Sequence, residues 1–283
     1  MNLSAVDAKG FRVMAAKTVI AQPAVAQGGI LSPGNGDVIP PGATVPLIAA
    51  RRQDANRGML QAWSVVQYSG SVQTELPVSH GILDTFVMPA LGEDGRVEVR
   101  HKISSAGGRA ATQDQIVIHA AAEDGYVRNW WLISGGEERG LDFDALPGGE
   151  RNFALPDPRV KAAFIRSPSR KIDLAGKLSP NLHTMGYAFV WIEAPTDRDA
   201  LLGLLSDDGI AVWVNGRQIW QHPISRLVSD DLRDIDLPPI KLRKGLNSLL
   251  IKVEQNDGEW ALKARVLMPD GSIMRDITLR AAP

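Results

Sequence analysis

Between residue 28 and residue 120 the chain alternates apolar and polar positions in short runs, and each run ends in a cluster of Gly, Pro, Asn or Asp. Val97 and Val99 interleaved with Glu98, Arg100 and Lys102 show the period of two that a strand with one wet face requires. The same reading predicts strands over Val45 to Ala49, Leu60 to Gln67, Leu83 to Met88, Val97 to Ile103 and Gln115 to His119. Turns fall at Ser32 to Gly36, Pro40 to Gly42, Gly92 to Gly95 and Ala106 to Gly108. No long stretch with a helical period interrupts them, so the expectation is an all-β sandwich.

The second half repeats the pattern more sharply. Tyr187 to Ile192, Ala200 to Leu205, Ile210 to Val214, Ile240 to Leu242, Ser248 to Val253 and Trp260 to Met268 read as strands. Asn215-Gly216 after Val214 is a strong two-residue hairpin signal, because both positions of such a turn need positive φ. Asp234-Ile235-Asp236-Leu237 reads as an ordinary alternating strand, and Glu137 to Arg170 as an irregular, Pro- and Gly-rich region. The small, polar stretch Ala120 to Gly125 is the expected join between two domains. Gly10 to Met14 and Thr18 to Ile20 look like strand pieces in need of a partner, as in a fragment of a longer chain.

Composition narrows the class. With 44% hydrophobic and 22% charged residues the chain has the makeup of a folded protein. A formal net charge of -1 supplies no bulk attraction to nucleic acid or an anionic membrane. No run approaches the ~20 apolar residues of a spanning helix, and Asp7, Lys9, Arg12 and Lys17 break any signal-peptide core in the first residues. Zero cysteines exclude disulfides and thiolate chemistry. The sequence lacks G-x-S-x-G, a P-loop and G-x-G-x-x-G, and its five histidines form no helical zinc pair. A non-catalytic protein is therefore the expectation.

Two stretches resemble known families. Ile30-Leu31-Ser32-Pro33, Asp37 to Val45 and the tryptophan strand Ala62 to Val65 are similar to bacterial immunoglobulin-like and PKD-like modules over residues 28–120. Asn129 to Gly135, Tyr187 to Val190, Ser206 to Gly216, Lys244 to Val253 and Trp260 to Arg265 resemble, in that order, the galactose-binding-like jelly rolls appended to glycoside hydrolases and other large secreted bacterial proteins. The resemblance implies two consecutive β-sandwiches, residues 28–120 and 121–283, after an N-terminal segment 1–27. It implies an accessory, carbohydrate-binding role in a larger protein that is extracellular, cell-surface or periplasmic, with a structural spacer or subunit-assembly module as the alternative. Polysaccharide and other domains or subunits are then the expected partners, with no nucleic acid and no membrane insertion.

Candidate site residues follow. Six of the seven tryptophans lie after residue 120, and an indole face can stack on a sugar ring. If Ile210, Val212 and Val214 face the core, Trp213 points away from it, and Trp213 with Trp220 is the expected exposed platform; the alternative is that most of the six tryptophans fill the sandwich core or pack against the neighbouring domain. Asp207 and Asp208 resemble the paired carboxylates of PA14-type domains, which implies Ca²⁺ as an optional ligand, with Asn215 a further oxygen donor. The competing reading is structural: Asp207 caps the turn and Gly209 supplies a positive φ. Asp230, Asp231, Asp234 and Asp236 would serve a glycosidase only if two faced each other across a cleft.

Overall fold

The computed structural model describes residues 3–6, 12–15, 29–50, 59–92, 95–105, 110–137 and 139–283. The expected strand piece at Thr18 to Ile20 and the turn at Ala106 to Gly108 lie outside the described residues. The architecture is all-β: among the described residues the one helical element is a 3₁₀ turn, Glu150–Asn152. The chain divides into two compact units, Met1–Ala120 with Pro283, and Ala121–Ala282.

In the first unit β1 (Leu3–Val6) and β2 (Arg12–Ala15) form an antiparallel hairpin. The body has two sheets. One joins β3 (Ile30–Ser32), β5 (Thr44–Ala49) and β8 (Asp84–Val87). The other runs β4 (Val38–Ile39), β10 (Ala110–Ala120), β9 (Arg96–Ser105), β6 (Met59–Ser69) and β7 (Val72–Leu76), antiparallel except for the β4–β10 pair. Val45, Leu47 and Phe86 from the first sheet meet Val65, Val97, Val99 and Ile118 from the second. The alternation of Val97 and Val99 thus turns one face of β9 into core, while Glu98 on the other face accepts from Arg100 Nη2 (2.6 Å) and Tyr68 Oη (3.1 Å).

The second unit packs two further sheets. The larger runs β12 (Ala162–Arg166), β11 (Asn129–Glu137), β14 (Thr184–Ala194), β19 (Gly245–Gln255), β16 (Ile210–Val214) and β17 (Arg217–His222), with β21 (Thr278–Arg280) extending it along β14. The smaller runs β13 (Ile172–Asp173), β20 (Ala261–Leu267), β15 (Arg198–Asp207) and β18 (Pro239–Leu242). Asn215 and Gly216 link β16 to β17 with φ of 51° and 75°, the left-handed pair that the hairpin signal demanded.

Both sheets of this unit are covered on their outer faces as well. Tyr187, Phe189, Ala211, Trp213 and Leu250 pack under Leu141, Leu146, Phe153 and Leu155, so within the stretch Glu137 to Arg170 that sequence renders only as irregular, residues 139–161 are a covering segment and Ala162–Arg166 is a strand paired with β11. A second loop, residues 223–238, lies over the smaller sheet, where Val228 packs on Leu205 and Ala261. In it the expected strand at Asp234 to Leu237 is absent; a single bridge joins Leu204 to Asp236. Its polarity is inverted, with Asp236 buried while Ile235 and Leu237 are exposed.

Candidate functional site

Trp213 does not form an exposed platform. It is 4% exposed and belongs to the core beneath the covering segment. Alternation along β16 is real, but both faces of the strand are buried, so the residue opposite Val212 and Val214 meets protein instead of water.

Asp207 and Asp208, at the end of β15, are each 3% exposed. The backbone N–H of Asn256 donates to Asp208 Oδ2 (3.0 Å), and Ser206 Oγ donates to the Asp208 carbonyl (2.7 Å). Asn215 lies at the far end of β16, and a strand rising ~3.3 Å per residue holds it more than about 15 Å from Asp208. Its Oδ1 accepts from the Ser248 N–H (3.0 Å) and its Nδ2 donates to Asn247 Oδ1 (2.8 Å), which pins the hairpin to β19. The three oxygen donors proposed for Ca²⁺ therefore do not converge, and among the described residues no three His, Asp or Glu side chains are grouped to hold a metal. Gly209 also differs from expectation: its φ is not positive, and a Cβ there would meet the carboxylate end of the Glu254 side chain. Millimolar Ca²⁺ is expected to leave the melting temperature unchanged in a thermal scan.

Asp207 carries an electrostatic cost. Burial, then the charge of Asp208 and then that of Glu259, push its carboxyl up to about 6, and its Oδ2 is buried without a hydrogen-bond partner. Because the folded state binds this proton more tightly than the unfolded chain, stability is gained below about pH 4 and lost as pH rises through 6. Asp207→Asn is expected to raise stability at pH 8 by on the order of 1 kcal/mol, a value discounted for the water that reaches neighbouring Glu259. Urea unfolding of both proteins at pH 4.5 and 8 checks it: the gain should shrink at the lower pH.

Trp220 and His222 lie on edge strand β17, opposite Val212 and Ile210 in register, and both are half-buried. Their rings meet edge to face at 6.3 Å. His222 Nδ1 lies 2.8 Å from Asp236 Oδ1, and Arg226 Nη2 donates to Asp236 Oδ2 (2.5 Å) while Arg226 Nε donates to the Ser206 carbonyl (2.9 Å). A carboxylate held from behind by arginine thus orients the imidazole beside an indole. With Nδ1 protonated toward the carboxylate, Nε2 is left as an acceptor. Sequence reading treats His222 as a lone residue and Asp236 as a strand position; nothing in their spacing links them. Asp234 is likewise paired, accepting from Arg265 Nε (2.6 Å) and Tyr126 Oη (2.8 Å), so Asp234 and Asp236 are held by their own partners and not by one another across a cleft, while Asp230 and Asp231 are exposed.

Lys252 and Glu150 are buried together under the covering segment, Nζ to Oε1 2.8 Å. Lys252 Nζ also donates to the carbonyls of Leu141 (3.1 Å) and Phe143 (2.5 Å), and Tyr187 Oη and the Ala145 N–H donate to Glu150 Oε1 (2.5 and 3.2 Å). A shared hydrogen bond holds the Asp144 carboxyl above the usual carboxylate range. On Glu150, burial is outweighed by hydrogen bonds from Asp144, Lys252 and Tyr187, which leave it below that range. Elsewhere, an open groove of about 560 Å³ is lined by Glu193, Pro195, Lys244, Asp276 and Thr278; Arg280 pairs with Glu193 and Arg198 with Asp276.

No protein-family model matches the sequence, and no curated protein matches it. Among solved structures, an anti-sigma factor domain-containing protein aligns with a TM-score of 0.31 at 10% identity, over 88% of this chain and 92% of the other. A GH31 α-xylosidase from Xanthomonas citri aligns with a TM-score of 0.29 at 10% identity, over 99% of this chain and 28% of the enzyme. A Streptomyces avermitilis α-L-rhamnosidase aligns with a TM-score of 0.23 at 13% identity, over 90% of this chain and 25% of the enzyme.

Proposed function

We propose that the chain is a non-catalytic accessory module of a larger protein outside the cytoplasm, an immunoglobulin-like sandwich followed by a galactose-binding-like jelly roll, and that the jelly roll binds glycan at the β17 edge. The observation that carries this reading is the half-buried Trp220 beside a histidine whose orientation is fixed by Asp236 and Arg226. An indole face supplies stacking area for a sugar ring, and a pre-oriented acceptor takes a hydroxyl without ordering cost. One ring and a few hydrogen bonds imply dissociation constants on the order of 10 μM to 1 mM, useful through tethering to a second contact.

Affinity electrophoresis in gels of plant, algal and bacterial polysaccharides tests this. Retardation by at least one polysaccharide is expected, weakened roughly tenfold by Trp220→Ala, which corresponds to ~1.4 kcal/mol, and also reduced by His222→Ala. Wild type that no gel retards, or Trp220→Ala that binds as well as wild type, overturns it.

A second reading, a subunit-assembly surface, is favoured by one observation: the loop over the smaller sheet exposes Leu227, Leu232, Ile235 and Leu237 while Asp234 and Asp236 are turned inward. Wild type that binds no glycan yet copurifies with a fixed partner through this loop would support it.

A further inference from the structure

We infer that Lys252 and Glu150 are placed to join through an amide bond between Lys252 Nζ and Glu150 Cδ, a cross-link tying the covering segment to β19. Three observations carry this. The amine and the carboxylate are both fully shielded from water and 2.8 Å apart, so no solvent competes for either group. The two carboxylate oxygens have different surroundings: Oε1 accepts from Tyr187 Oη and the Ala145 N–H, whereas Oε2 is buried without a hydrogen-bond partner, and a hydrogen bond joins the Asp144 and Glu150 carboxyls. Oε1 is thus held by two donors suited to charge developing on a tetrahedral carbon, Oε2 is free to take a proton, and the Asp144 carboxyl is an acid hydrogen-bonded to the same group.

The atoms balance without any further reactant. One proton passes from the Lys252 ammonium to the Glu150 carboxylate, which carries it on Oε2, and Nζ attacks Cδ. Asp144 gives its proton to Oε2, which leaves as water, and takes the second proton from Nζ. Ammonium plus carboxylate become amide plus one water. The product also suits the site: the remaining N–H keeps the Leu141 or Phe143 carbonyl as acceptor, and the amide oxygen keeps Tyr187 and Ala145 as donors. Two buried charges are replaced by a neutral, hydrogen-bonded group.

Mass spectrometry of the purified full chain, followed by tryptic mapping under denaturing conditions, decides it. The expected result is loss of one water, no cleavage after Lys252, and the peptide Gly245–Lys263 covalently joined to Gly140–Arg151. Lys252→Met should keep the full mass. Folded wild type at full sequence mass, cleaved at Lys252, overturns the inference. So does a water loss that maps to an Asp-Gly succinimide, for example at Asp208-Gly209, which hydroxylamine would cleave.

Discussion

Glu150→Ala is expected to destabilise the second unit by about 3 to 5 kcal/mol, the usual cost of leaving one member of a buried ion pair without its partner. Lys252 is 0% exposed, and Glu150 supplies its only paired carboxylate among the described residues. The two remaining acceptors, carbonyls of Leu141 and Phe143, belong to the same covering segment, so loosening that segment removes them together. The rings of Tyr187 and Trp213, each 5.5 Å from Nζ, soften the loss without replacing a counter-charge. Urea unfolding followed by tryptophan fluorescence is the appropriate measurement, since six of the seven tryptophans lie in this unit. The double variant Glu150→Leu with Lys252→Met should recover the part of the loss that comes from the unpaired charge, because apolar residues of similar size leave no charge behind, while the contribution of a covalent tie is not recovered. A midpoint unchanged in Glu150→Ala would show that the ammonium is reached by water.

Trp213→Ala should cost about 3 to 5 kcal/mol by the same measurement, through lost burial and the cavity left behind. Its indole fills the space between β16 and the side chains of Leu141, Leu146, Phe153 and Leu155. Trp220→Ala, on the half-buried edge, should cost only about 1 kcal/mol, in proportion to the smaller area shielded. The pair of variants separates the two roles open to a tryptophan here: one loses stability, and the other loses glycan retention. Equal midpoints for Trp213→Ala and wild type would mean that the covering segment does not rest on the ring.

The strands were legible because alternation is a local property. Five expected strands of the first unit appear within a few residues of their observed bounds, and β16 coincides with Ile210–Val214. The Asn215-Gly216 turn was legible for a similar reason, since its φ values are a demand on those two residues alone. What covers a strand's second face is decided by distant segments. A signal did exist: Ile210-Ala211-Val212-Trp213-Val214 is apolar throughout, and such an unbroken run marks burial on both sides. The Trp220 edge was half legible, its aromatic visible and its polar partner not. His222 and Asp236 are brought together by the path of the 223–238 loop, and the burial of Asp236 depends on Arg226 reaching Ser206 as well. Apolar residues facing outward in that loop inverted the usual rule, because paired carboxylates took the inner positions.

Lys263 is the counterpart of Lys252 on the opposite sheet: its Nζ donates to the carbonyls of Ser229 (3.2 Å), Asp230 (3.2 Å) and Leu232 (2.7 Å) in the 223–238 loop. Each covering loop is therefore gripped by its main chain, through a lysine anchored in the sheet below. Carbonyl oxygens are the same for every amino acid, so this grip sets the route of the loop while leaving its outward side chains free of structural duty. Leu227, Leu232 and Phe143 can then be exchanged in directed evolution to install new surface chemistry on a fixed backbone, whereas the two lysines beneath belong to the scaffold and set its course.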